Sequence, residues 1–161
     1  MTNRKLIWGA MFTAMIAVAT LYLKIPGPTG YYHLGDGLIY AAAILLGPGI
    51  GAIAAALGSA LADMMGGYVI WAGPTFFIKG LTALAIGYIA HRGLSATRNL
   101  GAMLVGALIT MVGYSVTAYF LYGRLPAVAL AEFYGNIGQT GSGIVIGMLL
   151  VSFLRRIRDF S

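Results

Sequence analysis

From residue 6 to residue 23 the chain carries no charged side chain, and five more predominantly apolar runs follow, separated by short connections. A run of about 20 apolar residues is what an α-helix needs to cross the roughly 30 Å hydrocarbon layer of a bilayer. In lipid, every backbone N–H and C=O has to be satisfied inside the protein, which leaves helices as the natural spanning element for such runs. Composition agrees. The 161 residues are 60% hydrophobic and 9% charged, against about 25% charged for a soluble domain. A chain this short exposes too much of itself to water to hide that excess. The expectation is an all-α integral membrane protein, a single domain over residues 1–161.

Six helices are predicted. The first covers residues 6–23; its Ala17-x-Ala19 would suit a cleaved leader, but further spans follow, so it reads as a retained helix. The connection "KIPGPTGYYHLG", with two prolines among its glycines, predicts an irregular loop. A second helix starts near Asp36, with Asp36 as its cap, and stops at the "GPG" of residues 47–49. The third covers 50–65. The fourth starts near Pro74, a favoured first-turn residue, and runs to 90. The fifth and sixth span about 100–122 and 130–154. Helices two and three are short for straight spans.

Six crossings put both termini and the 91–99 loop on one side. That side holds Arg4, Lys5, Arg92, Arg98, Arg155, Arg156 and Arg158 against the single acid Asp159. The rest of the chain balances Lys24, Lys79 and Arg124 against Asp36, Asp63 and Glu132. The basic side is expected to be cytoplasmic, in a prokaryotic plasma membrane. Topology thus accounts for the whole net charge of +6, and with no basic stripe interleaved with aromatics, nucleic-acid binding is not expected.

Charged and polar groups inside the spans carry the functional signal, because each is expensive in hydrocarbon unless it meets a partner or a cavity. Thr75, Lys79 and Thr82 recur at i, i+4 and i+7, which places them on one helix face. Glu132, Asn136 and Gln139 repeat the spacing on the sixth helix, and Thr110, Tyr114 and Thr117 on the fifth. With the assigned orientation these stripes lie at similar depth in the outer half, below Tyr32, His33, Asp36, Asp63 and Trp71. Mutual hydrogen bonding within a bundle explains one such stripe. Three at one depth favour an outward-facing pocket for a small neutral or zwitterionic ring, with Asp36 and Asp63 either lining it or pairing with Lys79. Tyr31, Tyr32 and His33 would form its lid.

Catalysis is not expected. Zinc-protease, nucleophile-elbow and phosphate-loop motifs are missing, and the chain contains no cysteine. The two histidines, His33 and His91, fall on opposite sides of the membrane in this topology and cannot share a metal; no cofactor or metal is expected. Small residues spaced four apart, Ala10 and Ala14, let another helix approach the first one closely.

The stretch "YHLGDGLIYAAAILLGPGIGAIAAALGSALADMMGGYVIWAGPTFFIKG" resembles the S components of energy-coupling factor (ECF) vitamin transporters, in the riboflavin-type branch. The shared pattern is "LGD…LLGP…G…GSALAD…GY…W…P…IKG", about residues 32–80, and the rest matches in size and hydropathy. The resemblance implies a substrate-capture subunit that binds a vitamin or precursor below the first loop. It also implies partners, a membrane coupling subunit and two cytoplasmic ATPases, with Ala10 and Ala14 as the docking face. It implies that Asp36, Asp63, Trp71 and Lys79 line or brace the pocket. Within the branch it lies nearest to hydroxymethylpyrimidine- or pyridoxine-type subunits; riboflavin, pantothenate or a self-sufficient ion-coupled carrier are the alternatives.

Overall fold

The structure is a computed structural model that describes residues 3–27, 29–91 and 95–156. Arg92, Arg158 and Asp159, used in the charge count, lie outside them. The elements are α1 (Asn3–Tyr22), β1 (Lys24–Pro26), β2 (Tyr31–His33), α2 (Asp36–Leu46), α3 (Pro48–Met65), α4 (Val69–Ala90), α5 (Ala96–Leu121) and α6 (Pro126–Leu154). The predicted six helices are there. All except α2 are long and apolar enough to cross a membrane. Their outward side chains, among them Ile7, Phe77, Leu108, Val145 and Leu149, are large, apolar and exposed, a surface suited to lipid.

Helix α2 is different in kind. It has 11 residues, about 16 Å at 1.5 Å per residue, roughly half the hydrocarbon thickness. Nine of them are buried, and the helix packs against α1, α3, α4, α5 and α6. It is the core of the bundle, apolar on all sides because protein surrounds it. Its first residue pairs with Lys79, midway along α4, while the turn that ends it touches His91 at the end of α4. Lys79 and His91 stand about 18 Å apart along that helix. So α2 occupies one half of the bundle's height and leaves the other half to the segment that precedes it.

Two close approaches depend on glycine. The α2–α3 turn needs Gly47, whose φ of +85° disfavours any side chain and whose Cα faces the His91 ring. On α6, a Cβ at Gly143 would stand 2.7 Å from Asp36 Cβ, so the small residue lets α6 close on α2.

Two expectations are corrected. The 24–35 connection is a two-stranded antiparallel hairpin and not an irregular loop, with Lys24 opposite His33, Ile25 opposite Tyr32 and Pro26 opposite Tyr31. Its Gly27 N–H donates to Gly30 O at 3.0 Å to close the turn. Helix α4 starts at Val69, five residues before Pro74. Proline then falls at the sixth helical position, where it forgoes one bond to the carbonyl of Ile70. Trp71 consequently belongs to a helix, which fixes its ring direction.

Candidate functional site

The floor of the site is a chain of buried polar groups at the start of α2. Lys79 Nζ donates to Asp36 Oδ1 at 2.6 Å, and neither side chain is exposed to solvent. Gln139 Nε2 donates to the other carboxylate oxygen at 3.1 Å. The Gln139 carbonyl accepts the backbone N–H of His33 at 3.0 Å, which ties the hairpin to the ion pair. His33 Nδ1 accepts from Gly35 N–H at 3.0 Å, so the proton of its neutral ring sits on Nε2. Burial, reinforced by the Lys79 charge and opposed by that of Asp36, pushes this imidazole down to about 4.

The hairpin is held over that floor by its own hydroxyls and carbonyls. Tyr31 donates to Asp63 of α3, and burial together with this carboxylate raises the phenol above its ordinary value. Thr29 donates to Glu132 of α6. The Thr29 carbonyl accepts from Trp71 Nε1 at 3.2 Å and from the Tyr122 hydroxyl at 2.9 Å. Asn136 braces Glu132 from one turn along, its amide donating to the Glu132 carbonyl at 2.9 Å. The Trp71 and Tyr114 rings stand 5.7 Å apart between centroids, and Tyr114 donates to Thr75 at 3.0 Å.

Between these groups lies a void of about 30 Å³, bounded by Thr29, Gly30, Tyr31, His33, Asp63, Tyr68, Trp71, Thr75, Tyr114, Glu132, Asn136 and Gln139. That is room for a water or two and not for an aromatic ring. Of the residues expected from sequence, His33, Asp63, Trp71, Tyr114, Glu132, Asn136 and Gln139 converge on it. Asp36 and Lys79 lie beneath it as an ion pair and do not line it. Asp36 makes no capping bond at the start of α2; its two oxygens are committed to Lys79 and Gln139. Tyr32 turns aside, its ring lying against Gly27 of the hairpin and Gly135 of α6.

The stripe on α4 divides by depth. Thr75 faces the void, Lys79 anchors the floor, and Thr82 bonds Thr110 of α5 at 3.0 Å in the packed interior. Sequence reading missed Thr29, Gly30 and Tyr68 as lining groups. For Thr29 and Gly30 the signal was the pairing of "KIP" with "YYH" across a Pro/Gly turn, which closes a hairpin and carries Thr29 inward. Among the described residues, no three His, Cys, Asp or Glu side chains converge as a metal site requires.

Comparison with known proteins gives a family, a relative and a solved structure that this chain resembles. The profile of the family described as "ECF-type riboflavin transporter, S component" matches residues 1–156. A Pyrococcus woesei protein described as an "uncharacterized protein in gap 3'region" is 40% identical over 134 residues, 82% of this chain and 88% of its own length. The crystal structure of the S component for biotin from an ECF-type ABC transporter superposes with a TM-score of 0.72. The superposition covers 100% of this chain and 96% of that one at 20% identity, a likeness of fold.

Proposed function

The chain belongs to the S-component family of ECF-type riboflavin transporters, and from that premise we propose that it captures a vitamin or vitamin precursor for an ECF importer. The ligand is a small aromatic heterocycle of the hydroxymethylpyrimidine or pyridoxine kind, taken between the hairpin and the Asp36–Lys79 floor. Both termini are cytoplasmic, and the hairpin faces the outside of a prokaryotic plasma membrane. The partners are a membrane coupling subunit and two ATPases, met through the α1 face that carries Ala10 and Ala14. Both alanines are exposed, while Phe12 and Ile16 turn into the bundle.

The observation that carries this reading is the convergence of aromatic walls, Trp71 and Tyr114, with Asp63, Glu132 and Asn136 on one void beneath a hairpin. Aromatic faces suit a ring, and a few directional polar groups suit its substituents. A void of about 30 Å³ further requires the hairpin to move before a ring enters.

The test is mass spectrometry of the small molecule that co-purifies with the chain, together with the proteins recovered beside it. A vitamin-like heterocycle, with two ATPases and a larger membrane subunit, is the expected result. Accumulation of solute by the chain alone in liposomes, driven only by a proton gradient, would overturn the reading.

A further inference from the structure

Two carboxylates line the void, Asp63 from α3 and Glu132 from α6, and no Lys or Arg does among the described residues. The nearest cations lie outside the lining. Lys79 is spent on Asp36, and Lys24 sits over the rings of Tyr31 and Tyr68, 4.7 and 5.2 Å from their centroids. The His33 ring uses Nδ1 as an acceptor and is neutral at physiological pH. The void therefore offers acceptors to a guest and no cationic side chain among its described lining groups. Both carboxylates are nevertheless occupied, each by a hydroxyl of the hairpin, Tyr31 on Asp63 and Thr29 on Glu132, and the second Glu132 oxygen accepts from the Asn136 amide at 3.4 Å. Asp63 keeps one buried oxygen, Oδ2, with no hydrogen-bond partner within 3.5 Å, the Thr75 hydroxyl being the donor nearest to its carboxylate besides Tyr31. An acceptor left without a donor in such a place is costly, and a guest that supplies one gains accordingly.

We infer that Asp63 and Glu132 are the groups that select the ligand, and that the Thr29 and Tyr31 hydroxyls stand in for its donors while the site is closed. The ligand is then a neutral or cationic heterocycle presenting O–H or N–H donors to both carboxylates, and carrying no carboxylate or phosphate. This rests on the capture reading above and narrows its substrate class. An anionic group placed against two carboxylates meets like-charge repulsion, with no Lys or Arg lining the void to offset it. Entry exchanges the hairpin's hydroxyls for those of the ligand, so the latch competes with the ligand instead of gripping it.

The experiment is isothermal titration of the purified full-length chain in detergent, after mass spectrometry of whatever it retains. Pyridoxine and 4-amino-5-hydroxymethyl-2-methylpyrimidine serve as donor-rich probes. 4-Pyridoxic acid, in which a carboxylate replaces one hydroxymethyl group of pyridoxine, and biotin serve as anionic ones. The expected results are a donor-rich, non-anionic retained or bound molecule, 4-pyridoxic acid at least about 100-fold weaker than pyridoxine, and binding by Thr29→Val about five-fold tighter than by the wild type. A retained molecule bearing a carboxylate or phosphate, tight binding of either anionic probe, or weaker binding by Thr29→Val overturns the inference and leaves vitamin capture standing. No retained molecule and no binding of any probe overturns both.

Discussion

Lys79 and Asp36 can be buried together because every strong acceptor in the group has a donor: Nζ and the Gln139 amide take one carboxylate oxygen each. Removing only one partner leaves the other charge stranded. Lys79→Met is expected to cost about 3–5 kcal/mol, and Asp36→Asn with Lys79→Met to recover most of it, read by thermal unfolding in detergent. A single variant as stable as the wild type would show that the pair is dispensable. His33 gives a pH dependence. Its folded-state value of about 4 lies below the ordinary 6.5, so between those limits the unfolded chain binds a proton that the folded chain does not. Stability then falls as pH drops through that window, by up to about 3 kcal/mol, and is unaffected above it. His33→Gln should lose less stability than the wild type between pH 7 and 4.5. The helical stripes that contain Lys79 and Gln139 were legible as a spacing in the sequence, and an Asp36–Lys79 pair was one of the alternatives it left open; the choice among lining the pocket, capping α2 and pairing was not legible, because i to i+4 arithmetic says nothing about which face meets which.

At the scale of elements, the contact between α2 and α6 is set by glycines. Gly143→Leu should destabilise the protein by about 1–3 kcal/mol, because its Cβ meets Asp36 Cβ at 2.7 Å. Gly138→Ala, on the same helix but with nothing within 4 Å of its Cβ, should be neutral or stabilise by up to about 1 kcal/mol through helix propensity. Equal effects of the two on thermal unfolding would remove close packing as the cause. The number of helices was readable because lipid imposes long apolar runs. The hairpin was not, since Pro and Gly punctuate a loop and a tight β-turn alike, and strand pairing is a contact between separate stretches of chain. The start of α4 differs from the expectation for a related reason: Pro74 is tolerated at the sixth position of the helix, so it does not mark the helix start.

For the whole molecule, orientation and assembly are the quantities to test. The chain has no cysteine, so single cysteines report topology directly. Arg124→Cys, in the α5–α6 turn, should react with a membrane-impermeant maleimide added to whole cells, and Ser95→Cys, before α5, should react only after lysis; the reverse pattern would invert the assignment. Ala14→Trp should abolish uptake in cells that contain the partner subunits while leaving ligand binding by the purified chain unchanged. Loss of both would point to a folding defect instead of a docking one. The sequence by itself determined that this protein lives in lipid, that it is built of six helices and that polar groups recur at helical spacing on three of them, because hydrocarbon thickness and backbone hydrogen bonding leave few choices. Its resemblance over residues 32–80 pointed to the family that the profile match establishes. Only the tertiary structure decided that α2 is a half-height core helix, that Asp36 and Lys79 pair with one another, and that Thr29 and Tyr31 bond Glu132 and Asp63. Those outcomes depend on which side chains, tens of residues apart, are brought within 3 Å, and no local pattern encodes that distance.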